Sequence, residues 1–527
     1  MFPIAIIHFR SLSFQYEGST QPLFSNLNLE LDSAWRLGFI ARNGRGKTTL
    51  LRLLSGALPY QGKIVSPLGF AYFPYAVKDE TLPALEVARE AIAPFRALEA
   101  TMASAQNDPA RLNEYAEALE SYTRADGFAI DAMIKAEAGK LDLAQQILER
   151  PFSSLSHGER TKLLLAALFL RHDSLLLIDE PTNHLDLEGR AALARYLRGK
   201  NGFILVSHDR SLLDSTIDHV LSINRDGSFS IEQGNYSSWQ RNKDLQDAFE
   251  LAQNEGLKKQ ISALNESARE KAGWSEKIER GKIGSHTADR GYVGHKAAKM
   301  MKRSKAIERR IERAADEKSR LLQRVEEGGD LKLSPLAHPA RRLILAQDLS
   351  IDYGSGPLFA PLSFELMQGE SLCLKGRNGS GKSSLVKLIL GEKIPHAGTL
   401  TLASGLALSI AQQDASGLSG PLPRFVQEQG IDQSLFFTIL RKLGFERAQF
   451  ETSLSGFSQG QKKKCLLAAS LCKPAHLYIW DEPLNYVDLP SRLQIERLLL
   501  DFRPTLLFIE HDAVFAGQIA TKTILLG

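Results

Sequence analysis

ARNGRGKTTL, residues 41–50, and GRNGSGKSSL, residues 376–385, are the stretches on which the fold turns. Each follows an apolar run, WRLGFI and SLCLKG, that reads as a buried strand, and each ends in a lysine and two hydroxyl residues that suit the start of a helix. A strand, a glycine-rich loop and a helix start together make a phosphate cradle. Successive backbone N–H groups and the helix N-terminus converge on one place, and glycine lets the backbone approach without a side-chain collision. Ala41, Arg42, Asn43, Gly44, Arg45 and Gly46 would form the first cradle, and Gly376, Arg377, Asn378, Gly379, Ser380 and Gly381 the second. Lys47 and Lys382 are expected on the β- and γ-phosphates, with Thr48 and Ser383 offering a hydroxyl to Mg²⁺ and Thr49 and Ser384 lining the same sites. Ala41 stands where a leading glycine is expected.

The repetition continues downstream. LLLIDEP (175–181) and LYIWDEP (477–483) are apolar strands ending in paired carboxylates. Asp179 and Asp481 suit a magnesium shell, while Glu180 and Glu482 suit the polarisation of an attacking water. GFILVSHD and TLLFIEHD end two further strands with His208 and His511, placed to contact a γ-phosphate. A single strand-end histidine is usually a packing residue, but the same order occurring twice points to function. The expected fold class is α/β, with two P-loop nucleotide-binding domains that take ATP and Mg²⁺.

At 527 residues the chain is too long for one ordinary core. Its 43% hydrophobic and 24% charged composition is that of a core-forming protein rather than a disordered one. The three cysteines, Cys373, Cys465 and Cys472, show no metal-ligand spacing and suit a reducing compartment, so a cytoplasmic location is expected. The longest apolar run, Leu163 to Leu170, is far short of the ~20 residues that span a bilayer. MFPIAIIHFRSLSF reads as a first strand rather than a signal peptide. Net charge is +4, but residues 280–310 hold ten basic residues against two acidic ones, leaving the remainder at −4.

The paired motifs resemble those of ATP-binding-cassette proteins. LSHGERTKLLLAALFL (from Leu155) and FSQGQKKKCLLAASL (from Phe457) look like the family's signature sequence opening a helix, with His157 and Gln459 in place of the middle glycine. The resemblance implies that each signature crosses to the opposite cassette. Ser458, Gly460 and Gln461 would then complete the site of Lys47, and Ser156, Gly158 and Glu159 that of Lys382. Tyr16 and Tyr353 fit aromatic adenine-stacking positions, and Gln412 the metal-sensing glutamine, where the first copy offers Tyr75.

Between the copies, Phe249, Leu257, Ile261, Leu264 and Ala268, and then Met300, Ile307, Ile311, Ala314, Leu321 and Val325, recur at helical spacing. Two antiparallel helices of about 40 residues would reach ~60 Å, with glycines at 281, 284, 291 and 294 forming the turn. The basic charge lies at and just behind that tip. Arg290, Lys296, Lys299, Lys302, Arg303 and Lys305 would neutralise RNA phosphates, and Tyr292 and His295 would stack on bases or sugars.

Twin cassettes, no membrane domain and an interdomain hairpin resemble the ABC-F class of translation proteins. DEPTNHLD, SHDRSLLD and WDEPLNYVD resemble that class and its resistance branch, and the likeness runs from LGFIARNGRGKTTLLRLLSG through DRGYVGHKAAKMMKRSK to IEHDAVFAGQIATK, essentially the whole chain and toward the Lsa-type proteins that protect ribosomes from lincosamides, streptogramin A and pleuromutilins. That resemblance implies three domains: a first ATP-binding domain (1–236), a ribosome- and tRNA-facing linker (237–334) and a second ATP-binding domain (335–527). It also implies a monomer whose two cassettes pair intramolecularly. In its ATP-closed form the protein would enter the exit site of the 70S ribosome and extend the hairpin toward 23S rRNA and the P-site tRNA. The end at Gly527 carries the expectation that no further nucleic-acid-binding domain follows. Alternatives are a housekeeping ABC-F factor for stalled ribosomes, the motor subunit of an ABC transporter, and a DNA clamp of the SMC or Rad50 kind. The clamp is disfavoured because both cassettes are complete on their own sides of the helical segment.

Overall fold

In the computed structural model the described residues are 5–17, 22–172, 174–183, 185–224, 227–281, 331–354, 356–377 and 379–526. Two compact units emerge, one made of Met1–Tyr236 with Gly328–Gly527 and the other of Ser237–Glu327.

Each half of the first unit is built on a parallel sheet. In the N-terminal half six strands lie in the order Gly69–Phe73, Ser174–Asp179, Phe203–Val206, Arg36–Ile40, His219–Ile223 and Phe229–Gln233, the last pair antiparallel. In the C-terminal half five strands follow the same plan: Leu408–Ala411, Leu477–Asp481, Leu506–Ile509, Ser371–Gly376 and Lys522–Leu526. SLLLID and LYIWD read as unbroken apolar runs because helices cover both faces of a parallel sheet. Tyr478 and Trp480 are wholly buried there, and Trp480 satisfies its indole N–H on Ser470 Oγ at 3.0 Å. A three-stranded antiparallel sheet flanks each half: Phe24–Asp32, Ile6–Phe14, Gln61–Val65, and Leu362–Met367, Arg342–Ile351, His396–Leu402. The expected α/β class is therefore observed, with the same parallel-sheet plan in both halves.

The strand order positions the chemistry. The strands that end at Asp179, Val206 and Ile40 are neighbours, so the carboxylate pair, the strand-end histidine and the glycine-rich loop emerge side by side at the carboxyl edge. Asp481, Ile509 and Gly376 repeat this in the other half. Ligands of open parallel sheets bind at this edge. The halves differ in the helices inserted before the signature helix. The first carries Ala84–Ile92, Phe95–Ala105, Leu112–Arg124 and Ile130–Lys140, the second only Leu422–Gln429 and Gln433–Lys442.

The helix Tyr236–Gly281, all but its first residue in the second unit, runs for 46 residues, or ~69 Å at 1.5 Å per residue. The expected second helix, the turn and every proposed RNA contact from Arg290 to Lys305 lie outside the described residues, as does Asn378. Among the described residues no helix is long and apolar enough to cross a membrane.

Candidate nucleotide sites

Both glycine-rich loops form the turn that their sequences require. Gly44 and Gly46 sit at φ 83° and 91°, Gly379 and Gly381 at 82° and 89°, a region that residues with a Cβ enter at a cost. The leading positions differ. Gly376 has φ 154°, and a Cβ there would lie 2.2 Å from the Leu526 carbonyl oxygen, whereas Ala41 stands outside the positive-φ region and is buried without such a constraint. The lysines close each loop on itself. Lys47 Nζ donates to Ala41 O at 2.7 Å and Arg42 O at 3.3 Å, and Lys382 Nζ donates to Gly376 O and Arg377 O, both at 2.8 Å. Burial lowers the pKa of both ammonium groups, against the pull of nearby carboxylates. Tyr16 Oη lies 2.8 Å from Thr49 Oγ1, and Tyr353 Oη donates to Ser384 Oγ at 3.2 Å, so each tyrosine abuts the first turn of a loop helix. Both rings remain about half exposed.

The carboxylate pairs share an unusual backbone. Glu180 and Glu482 have φ 50° and 47°, a strained conformation for residues with a side chain, and such strain concentrates at functional positions. Each faces its histidine: His208 Nε2 is 3.3 Å from Glu180 Oε1, and His511 Nε2 is 3.5 Å from Glu482 Oε1. Their electrostatics diverge. Burial and the adjacent Asp179 push the Glu180 carboxyl up to about 8, against Lys47 and Arg492. Burial also favours neutral Glu482, but His511, Gln413 and Lys463 together hold it below the usual carboxylate range. Burial keeps His208 well below the normal histidine range, hence neutral.

The donor set suits a magnesium ion bound together with phosphates. Asp481 accepts a hydrogen bond from Ser383, while its buried Oδ1 has no hydrogen-bond partner among the described residues. One carboxylate and one hydroxyl leave the remaining octahedral positions to phosphate and water, the usual magnesium arrangement. At the first site the Tyr72 hydroxyl donates to Asp179 Oδ2 at 3.1 Å, and the matching strand position in the second half is Ile410. Thr48 immediately follows Lys47 in the first-loop helix.

Strand register distinguishes Gln412, the expected metal-sensing glutamine, from its neighbour Gln413. Phe73 pairs with Ile178 and Ala411 with Trp480, each one residue before its aspartate, so Tyr75 corresponds to Gln413 rather than Gln412. Gln413 Nε2 donates to Glu482 Oε2 at 2.9 Å, while Gln412 offers its backbone carbonyl to Lys463. Two adjacent glutamines are indistinguishable by composition, and only pairing decides which faces the carboxylate. Tyr75 Oη instead donates to Glu90 O at 3.3 Å.

Both signature segments open helices, His157–Leu168 and Gln459–Cys472, through capping boxes. Ser156 and Ser458 each accept from an N–H three residues on, at 3.3 Å, while the side chains of Glu159 and Gln461 accept from the serine N–H at 2.8 Å. Gly460 is wedged between halves: a Cβ there would meet Tyr486 O at 2.3 Å and Asn43 Nδ2 at 2.4 Å. Asn43 itself donates through Nδ2 to Tyr486 O at 2.8 Å and through its N–H to Asp488 Oδ2 at 2.9 Å. The first phosphate loop thus meets the second half's signature helix and the segment after its carboxylates. At the second loop Arg377 pairs with Glu188 at 2.9 Å, an exposed contact. Sequence reading missed Asp488 and Lys464, a fully buried pair at 2.7 Å whose aspartate caps the helix Leu489–Phe502. The run QGQKKKC hides that lysine among neighbours of like charge.

This geometry agrees with comparisons to known proteins. The family model described as ABC transporter matches residues 24–183 and 359–485, more than half of the chain. The ribosome protection protein VmlR of Bacillus subtilis is 27% identical over 97% of this chain and 85% of its own length. The energy-dependent translational throttle protein EttA of Haemophilus influenzae is 27% identical over 95% of this chain and 88% of its own. A solved structure of RNase-L Inhibitor shares the fold, with a TM-score of 0.56 at 18% identity, covering 98% of this chain and 87% of that one. Two matched cassettes, each with a phosphate loop, a carboxylate pair and a signature helix, place the chain in the ABC transporter family, as an ATP-binding and ATP-hydrolysing protein.

Proposed function

We propose that this chain is a cytoplasmic ABC-F ATPase, with domains at 1–236, 237–334 and 335–527, that binds the ribosomal exit site in its ATP-closed form and protects the peptidyl-transferase centre from antibiotics. The observation that carries the ATP-driven part is the cross-half packing at Asn43, Gly460 and Asp488, which makes the first phosphate loop complete only when the halves are together. Lys47 and Lys382 hold the nucleotide phosphates, and Tyr16 and Tyr353 stack on adenine. The serines of the two signatures, Ser156 and Ser458, face the phosphates of the opposite loop. Glu180 and Glu482 orient the attacking water, steadied by His208 and His511. Thr48 with Asp179, and Ser383 with Asp481, would hold magnesium, which when bound offsets the charge on the β- and γ-phosphates.

The ribosomal part draws support from the charge of residues 280–310 and from two relatives whose names tie them to ribosome protection and to translation. Those relatives are equally similar to this chain, so a housekeeping factor acting on stalled ribosomes is the second reading. Arg290, Tyr292, His295, Lys296, Lys299, Lys302, Arg303 and Lys305 are the proposed contacts to 23S rRNA and the P-site tRNA. Expression in a drug-sensitive host separates the two readings: raised inhibitory concentrations of lincomycin, tiamulin or virginiamycin M support protection, and unchanged values for all three support the housekeeping role. Neutralising Lys299, Lys302, Arg303 and Lys305 in the Glu180→Gln/Glu482→Gln protein should weaken ribosome cosedimentation and flatten its salt dependence. An unchanged salt slope would remove this segment from the interface.

A further inference from the structure

Lys463 lies five residues after the capping serine of the second signature helix and is only 2% exposed. Its ammonium donates to three main-chain carbonyls: Gln412 O at 2.7 Å, Gln413 O at 2.8 Å and Asp481 O at 3.4 Å. Three donors meet three acceptors, so the buried cation is satisfied without a carboxylate in direct contact. Two of those carbonyls belong to the loop whose Gln413 side chain donates to Glu482. The third belongs to the aspartate preceding Glu482. The same helix, at Gly460, packs on Asn43 of the first phosphate loop.

The first half offers an internal comparison. Counting from Ser156, its capping serine, the equivalent of Lys463 is Thr161, whose side chain is too short to span such a gap. The equivalent of Gln413 is Tyr75, which turns away to Glu90 O. The lysine and the glutamine are thus present together in one half and replaced together in the other, as expected of two parts of one device.

We propose that Lys463 is a positioning residue for the second ATP site: it fixes the loop that holds the Gln413 carboxamide on Glu482 and ties that loop to the helix seated on the first phosphate loop. Contact at the first site is thereby transmitted to the water-orienting carboxylate of the second, and no matching link runs through Thr161. This inference rests on the reading of Glu482 given above.

The test uses the full chain carrying Glu180→Gln, so that turnover reports the second site. Lys463→Met should lower kcat by about tenfold to a hundredfold with KM for ATP nearly unchanged, the signature of a displaced catalytic group. Lys463→Arg, which can still donate to carbonyls, should recover most of the loss. Gln413→Ala should cost as much as Lys463→Met, and the double variant no more than either alone. Losses that multiply in the double variant, or a change confined to KM, would overturn the proposal. Should Lys463→Met fold poorly by its thermal midpoint, Lys463→Gln enters the same cycle. Glu482→Gln in this background is the control: surviving turnover would remove the Glu482 assignment itself, whereas abolished turnover with an additive cycle would remove Lys463 alone.

Discussion

One buried ion cluster joins the two halves away from the phosphate loops. Arg210 Nη1 donates to Glu496 Oε2 at 3.1 Å, Nη2 pairs with the other Glu496 oxygen, and Nη2 lies 3.6 Å from Asp512 Oδ2. Arg210 is 7% exposed, and Glu496 and Asp512 are each 4% exposed. The cluster has no symmetry mate. By register from the helix-capping aspartates Asp209/Asp512 and Asp186/Asp488, the equivalents of Arg210 and Glu496 are Ala513 and Ala194. Arg210→Met would strand the Glu496 carboxylate without solvent, whereas Asp512 keeps Arg492 at 3.2 Å. Removing one partner of a buried pair costs about 3–5 kcal/mol, while replacing both with apolar residues of similar volume is often close to neutral. For folding units of 150–250 residues each kcal/mol moves the midpoint by about 2–4 °C, so Arg210→Met should fall by roughly 6–20 °C. Scanning calorimetry at neutral pH of Arg210→Met, Glu496→Met and the double variant measures this directly. The double should recover most of the loss, so that it falls well short of the two singles summed. If the double loses as much as the two singles summed, the pair does not hold the halves together and the reasoning is wrong.

Lys47→Ala and Lys382→Ala should each weaken ATP binding at the affected site, read by titration with a fluorescent nucleotide; unaltered affinity in both would contradict the cradle assignment. Gly460→Ala should leave each half folded but cost about 1–3 kcal/mol at their junction, because the added methyl meets Tyr486 O and Asn43 Nδ2, and ATPase activity should fall with it. Glu137 accepts from Lys140, Lys200 and Tyr196, each at 2.6 Å, and these bonds outweigh its burial to hold its carboxyl at about 2. Its contribution is therefore complete above the unfolded value near ~4.3 and is lost as pH falls from there to about 2. Glu137→Gln should cost about 1–2 kcal/mol at pH 7, allowing for screening, and the gap from the parent should close across that acid window in urea unfolding.

Much of the site could be read directly from the chain. Glycine at 44, 46, 379 and 381, lysine at 47 and 382, and paired carboxylates at strand ends are local requirements of backbone geometry and charge, so they appear as contiguous motifs. The signature helices announce themselves too, because a capping box needs only residues three apart. The glutamine could not be assigned this way: Gln412 and Gln413 are chemically identical neighbours, and a strand register set by pairing with Tyr478–Trp480 decides which one reaches Glu482.

The sequence alone determined two ATP-type cassettes, their order and the charged segment between them, since each follows from short-range chemistry. Only the tertiary structure decided how the halves differ. Asp488 with Lys464, Arg210 with Glu496, and Lys463 with the Gln413 loop join residues that are separated by 24, 286 and about 50 positions. Nothing local marks them, because their value comes from losing water together, and that happens only once the chain has folded.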